Sequence, residues 1–300
     1  MVEIYLYKKN SSRIHDQIFV FENLNEDLTE PLKREVYIKR DALNQLNFRN
    51  YNPLVKDREY VDTINIENLK ENSTFFKNIH DYFADTSEEI DTVLDINSSY
   101  KYSLMIYKIH NEIFIKQFDG NKLLSETSLI GEFDQQVLQK TNKKLLMFDG
   151  NFDFYFNLEE TQVIIKNSSR FEKICNYEAY FDRVRGDKIV EIGDSNIISN
   201  FDEIYDEINN KKYNRLFTQL NTFDIGTITS NTTLINRLES KDIFFLNNQF
   251  EIRTPEHSHI LLFLISGLVS INNFDQVVVT KDQELIIDRE ANRPQQLARL

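Results

Sequence analysis

Two stretches, SLMIYKIHNEIFIKQF (Ser103–Phe118) and FDFYFNLEETQVIIKN (Phe152–Asn167), decide the fold class. Each contains two short runs of β-branched and aromatic residues, the first pair joined around His110 to Glu112 and the second through Leu158-Glu159-Glu160. LLMFD (Leu145–Asp149) repeats the habit just ahead of the second stretch. Links this short cannot hold a crossover helix, so the spacing predicts an antiparallel meander from Tyr102 to Lys166. Asp119-Gly120-Asn121 and Asp149-Gly150-Asn151 have the composition of hairpin turns.

Downstream the period changes to helical. In NSSRFEKICNYEAYFDRVRGDK, Ser168 or Ser169 can cap, Phe171, Ile174, Cys175, Tyr177 and Phe181 recur at three- and four-residue steps, and Gly186 is the expected stop. Further helices are expected at Phe201–Ile208, Tyr213–Leu220, Thr233–Leu238 and His259–Leu268, then a strand at Val277–Thr280. Upstream, Val2–Lys8 and Gln17–Phe21 read as strands. TEPLKREVYIKRDALNQL (Thr29–Leu46) reads mostly as helix, with Pro31 placed where a first turn tolerates it. From Asn47 to Ser99 the pattern weakens, which suggests a boundary or a long irregular connection. The expected class is therefore α+β: an antiparallel meander sheet followed by packed helices in residues 100–300, with a smaller mixed region in residues 1–99.

The chain of 300 residues, 41% hydrophobic with 23 Phe and 14 Tyr, has enough apolar side chain for a packed core, and only 7 Gly and 4 Pro. Cys175 is the only cysteine, which excludes an intrachain disulfide and a cysteine-based zinc site and fits a reducing, cytoplasmic setting. MVEIYLYKKN does not have the form of a signal peptide. The longest apolar run, ILLFLISGLV (Ile260–Val269), would rise roughly 15 Å as a helix, about half a bilayer's hydrocarbon thickness. Membrane contact is thus expected only through a partner.

The formal charge of −13 disfavours indiscriminate nucleic-acid binding. Acidity is concentrated at Asp81–Asp95, ordinarily a solvated face and alternatively a regulatory or DNA-mimicking segment. Against it stand basic clusters at Lys33, Arg34, Lys39 and Arg40, at Lys140, Lys143 and Lys144, and at Lys211, Lys212 and Arg215. Lys166, Arg170 and Lys173 lead into the helix that follows the sheet, and Arg183, Arg185 and Lys188 leave it. Gathered on one face, such residues form a phosphate footprint; left apart, they are solvated side chains.

Catalytic apparatus is hard to find. Glu239-Ser240-Lys241 has the acidic-x-Lys spacing of a metal-dependent nuclease but falls at a helix end, where surface charge is the ordinary reading. His257-Ser258-His259 puts two imidazoles on one side of an extended segment, with no HExxH or cysteine partner. Cys175 falls on an apolar stripe, where a buried small hydrophobe is the default. No glycine-rich phosphate loop is present. No catalytic residue, metal ligand or cofactor is therefore expected.

FDFYFNLEETQVIIKNSSRFEKICNYEAYFDRV (Phe152–Val184) runs from a short aromatic strand through a turn to a strand ending in Lys-Asn, then a Phe-Glu-Lys-Ile helix with a Tyr-Glu-x-Tyr continuation. That order resembles the central block of the KwaB family, the soluble component of the Kiwa bacterial anti-phage system. The likeness covers roughly half the chain in pattern, chiefly Tyr102–Ile286. It implies a cytoplasmic homodimer that associates with a membrane partner, KwaA, and binds DNA without a nuclease centre. The net acidity departs from that expectation and confines any binding to a local patch. Clustering, not a family motif, nominates Lys140, Lys143, Lys144, Lys166, Arg170, Lys211, Lys212 and Arg215 as phosphate contacts. The alternatives are a protein-interaction module without DNA binding and a nuclease with an unrecognised metal site.

Overall fold

The computed structural model describes residues 2–8, 18–21, 24–53, 59–85, 103–118, 123–124, 131–134, 137–140, 145–146, 148–218, 229, 232–265, 269–271 and 277–279. The fold is α+β. It divides into two compact units: Met1–Tyr51 with Glu59–Asn176, and Asn52–Arg58 with Tyr177–Leu300.

The first unit is built on an eight-stranded sheet. Its strands are β1 (Val2–Tyr7), β2 (Ile18–Val20), β3 (Asn47–Asn50), β4 (Tyr60–Asn65), β5 (Leu104–Ile109), β6 (Glu112–Gln117), β11 (Phe154–Asn157) and β12 (Gln162–Ile165), in the order β2-β1-β5-β6-β11-β12-β4-β3. All neighbours are antiparallel except the edge pair β3 and β4. Four of the five runs read as a meander form its centre, β5-β6-β11-β12, while the fifth, LLMFD, pairs outside this sheet. Between β6 and β11 the chain makes two-stranded pairs outside the main sheet, β7 (Leu123–Leu124) with β10 (Leu145–Leu146) and β8 (Gly131–Asp134) with β9 (Val137–Lys140).

Both faces of this sheet are covered. Helix α1 (Glu26–Asn44) sets Leu32 and Val36 on a face made by Ile4, Tyr107, Phe114 and Tyr155. On the other face, α3 (Thr74–Ala84) sets Phe83 edge-on to Tyr5 and Phe76 edge-on to Phe156, and α4 (Ser168–Ile174) sets Phe171 against Phe154. The short helix α2 (Ile66–Asn72) precedes α3, and the Ser73 hydroxyl between them donates to the Cys175 carbonyl at 2.7 Å. Two-sided burial explains why β5 and β6 read as nearly continuous apolar runs.

The second unit packs helices around a hairpin. Its elements are α5 (Tyr177–Asp194), α6 (Phe201–Ile208), α7 (Asn214–Phe217), α8 (Thr232–Glu239), the hairpin of β13 (Ile243–Leu246) and β14 (Gln249–Ile252), and α9 (Ser258–Ile265). Ile192, Ile208, Phe217, Ile243, Phe250 and Leu261 are fully buried in one cluster there. Asn247 and Asn248 both have positive φ, 51° and 64°, as a two-residue hairpin turn requires. A last strand pair is β15 (Val269–Ile271) with β16 (Val277–Val279).

Several expectations are corrected. No division falls at residue 99, because β1 pairs along its whole length with β5 and so joins the two sides of that boundary in one sheet. Residues 47–85, read as irregular, hold β3, β4, α2 and α3. Helix α1 begins at Glu26, where the Asn25 side chain accepts from the Asp27 N–H, so Pro31 lies inside the helix and not in its first turn. The long helix expected from residue 167 is two helices broken at Asn176, whose φ is 54°. Its cap is Asn167, and α5 runs through Gly186 to Asp194. Asp149-Gly150-Asn151 is no hairpin turn, since β10 and β11 pair with other strands. His257 and His259 lie on a 3-10 turn and on α9, not on an extended segment. Asp119-Gly120-Asn121, Asp81–Asp95 beyond residue 85, and Lys143 and Lys144 lie outside the described residues.

Candidate nucleic-acid interface

In the first unit the basic side chains gather at the loop of residues 148–153. Lys39 from α1 donates to the Asp149 carbonyl, and Lys116 from β6 donates to the Asp149 carboxylate. Gly150 allows this approach: its φ is +59°, and a Cβ there would lie 2.7 Å from the Glu35 Cβ. Lys166 leaves β12 as the chain turns into α4, and both its N–H and that of Asn167 donate to the Asp153 carbonyl at 2.9 Å. The Lys166 ammonium lies 5.0 Å from the centre of the Phe152 ring. Burial, and then the charge of Lys39, lower its pKa below the ordinary lysine value.

The carboxylates beside these cations are already engaged. Asp153 is buried, takes the Gln117 N–H at 2.7 Å on one oxygen, and meets Arg170 at 3.3 Å on the other. Lys116 is itself buried, so its pairing with Asp149 belongs to the interior.

In the second unit the segment after α6 carries a denser group. Asn210 caps a 3-10 turn, Lys211–Tyr213, by accepting the Lys212 N–H at 3.0 Å, and α7 follows directly. Lys211 stands 3.6 Å from Asp182 of α5, which also meets Arg185 at 3.1 Å. The buried Asn214 donates to Asp182 at 2.8 Å and accepts from Arg185, tying α7 to α5. That hydrogen bond first, then Lys211 and Arg185, hold the Asp182 carboxyl below its ordinary pKa. Lys212 reaches Glu207 at 2.5 Å, and the Tyr213 hydroxyl donates to the same oxygen at 3.0 Å. The guanidinium groups of Arg215 and Arg183 lie 5.8 Å and 5.6 Å from the ring centres of Phe181 and Tyr180.

Comparison with protein-family models, curated proteins and solved structures found no match to this chain.

Of the eight residues nominated from clustering, the structure brings Lys211, Lys212 and Arg215 together in the second unit, and places Lys166 and Arg170 around Asp153 in the first. Lys140 ends β9, paired in backbone register with Gly131, and its side chain is outside the described residues, as are Lys143 and Lys144 entirely. Lys39, Arg183 and Arg185 are named among the basic residues of the sequence but not nominated as contacts, and Lys116 is not named at all. Lys116 had a signal: in IFIKQF it shares a strand face with Phe114 and Phe118, so a lysine fell on a buried stripe. Arg185 joins Lys211, through their shared partner Asp182, only because α5 and α7 pack together.

The histidines and the cysteine of the other tested constellations are engaged in local contacts or buried. Cys175 is buried, which pushes its thiol pKa up and suppresses the thiolate. His257 bonds through Nδ1 to the Lys241 carbonyl at 2.7 Å, and His259 through Nδ1 to the Glu256 carbonyl at 2.6 Å. Among the described residues no group of three or more His, Cys, Asp or Glu side chains is arranged to hold a metal ion. Among the same residues no helix is long and apolar enough to cross a membrane.

Proposed function

We propose that this chain acts by binding, holding a nucleic-acid backbone on the cationic surface of its second unit, in the manner of the Kiwa KwaB-like proteins its central block resembles. The observation that carries the reading is the gathering of Lys211, Lys212 and Arg215 on one turn and short helix tied to α5 by the hydrogen bond from Arg185 to Asn214. Their paired carboxylates are Asp182 and Glu207. Lys211 is mostly exposed, at 69%, so a phosphate reaches it without displacing buried contacts. The arginines beside Tyr180 and Phe181 add flat cations suited to phosphate oxygens. The mechanism is occupancy without turnover, and a second copy of the chain and a KwaA-like membrane-embedded protein are the proposed partners.

Fluorescence anisotropy of a duplex oligonucleotide over a salt series tests this. Binding should weaken steeply with salt, and changing Lys211 and Lys212 to Gln should lower the slope of log K against log salt by about 2, roughly 0.9 for each lost phosphate contact. Absence of binding at low salt, or an unchanged slope, refutes the reading. Magnesium-dependent cleavage of the oligonucleotide would replace it with a nuclease.

A further inference from the structure

The first unit contains a cleft of about 650 Å³ at the end of the sheet where α1 finishes. That volume lies within the range, roughly 300 to 1,000 Å³, that small-molecule sites occupy. Two hairpin turns form its rim. His110-Asn111 joins β5 to β6 and Leu158-Glu159-Glu160 leads from β11 toward β12. They are tied where Asn111 accepts the Leu158 N–H at 2.9 Å and donates to Glu159 at 2.7 Å.

The polar character of the cleft is fixed by which charges are already spent. Arg40 donates to both oxygens of Glu112, at 2.9 and 2.7 Å, and meets Asp41 at 2.7 Å, so its cation is fully matched by carboxylates. Glu159 and Glu160, both exposed on the rim, have no basic partner among the described residues. Helix α1 ends at Asn44 in the cleft wall with no basic residue in its last turn, so the negative end of the helix dipole has the same sign. Tyr155, which donates to Asn44 at 2.9 Å, registers this environment: burial first, then Glu112 and, more weakly, Glu160, push its hydroxyl up to about 12. Phe48 of β3, 47% exposed, offers an aromatic surface on the same cleft.

We propose that this cleft is a binding site for a small organic cation of the di- or polyamine class, its ammonium groups received by Glu159 and Glu160 and its alkyl chain laid against Phe48 and Ile164. An anion or a phosphate ester meets there, besides the His110 ring, an arginine already matched by carboxylates and two rim glutamates that repel it. A neutral sugar leaves two rim carboxylates without the opposite charge they lack. The site is independent of the nucleic-acid reading, since none of the residues proposed to hold the polyamine is a proposed phosphate contact.

Titration calorimetry with spermidine at moderate salt tests it on the full chain. Saturable one-to-one binding is expected, weakened about tenfold in an E159Q/E160Q variant, two exposed pairs each contributing up to about a factor of five. Phe48→Ala should weaken it about two- to fivefold. A D202N/E203Q variant on α6, equal in charge removed and equally exposed, should bind spermidine as the parent does. Absence of saturable binding overturns the proposal. So does an equal loss in both double variants, which would mean diffuse attraction to an acidic protein, or tighter binding of maltose or AMP than of spermidine. All the altered side chains are exposed, and thermal melting of each variant confirms that the fold is retained.

Discussion

Two lysines, each paired with an aspartate, behave differently in the two units. Lys116 of the first unit has a side chain only 5% exposed and is locked to Asp149 beneath α1, whereas Lys211 of the second has 69% of its side chain in solvent beside Asp182. The same residue types make an interior contact in one case and a surface available to a ligand in the other. A buried charge must find its partner inside the protein because water cannot solvate it there, and an exposed one exchanges its partner at little cost. Basic residues therefore count as binding residues only after their burial is known.

The comparison is broken most severely at Lys116. Lys116→Met should destabilise the first unit by about 2 to 3 kcal/mol, since it removes the buried partner of an Asp149 carboxylate that solvent still partly reaches, and urea unfolding measures it. Gly150→Ala should cost about 2 kcal/mol or more in the same assay, because the left-handed backbone disfavours a Cβ and α1 stands in its way.

A smaller effect belongs to both units, each of which holds a buried histidine stacked on an aromatic ring: His80 on Phe156 at 5.7 Å and His259 on Tyr213 at 6.4 Å. Burial lowers both pKa values. As pH falls below about 6.5 the unfolded chain binds protons that the folded chain refuses, so stability is lost on acidification and regained as pH rises through that window. Urea midpoints at several pH values should show this slope, and His80→Gln and His259→Gln should each flatten it. Smallest of all, changing Lys211 and Lys212 to Gln should move stability by less than about 1 kcal/mol while weakening DNA binding; a large loss of stability would show that these lysines, too, are structural.

Legibility followed the same physical division. The meander was visible because β5, β6, β11 and β12 are local runs joined by short links. The placement of β1 beside β5 was not, because it joins residues roughly a hundred positions apart and nothing in either strand names its neighbour. The hairpin at FFLNNQFEI, unread in the sequence, did carry a signal in two asparagines between apolar runs. The break after Cys175 was hidden because Asn176 sits in a continuous helical pattern and only its positive φ divides it. Among the candidate contacts, the nearness of Lys211, Lys212 and Arg215 was legible because they lie within a few residues of chain, while Arg185 reaches them through helix packing.

Amino-acid pattern determined the class of this protein: short β-branched and aromatic runs joined by links too short for a helix form strands, and the three- and four-residue stripe after Asn167 forms helix. Tertiary structure decided where the units divide, which cations are enclosed and which face solvent, and that the turns at His110 and Glu159 meet at a cleft. Those properties depend on what packs beside a residue, and strand pairing and helix docking, not sequence distance, choose those neighbours.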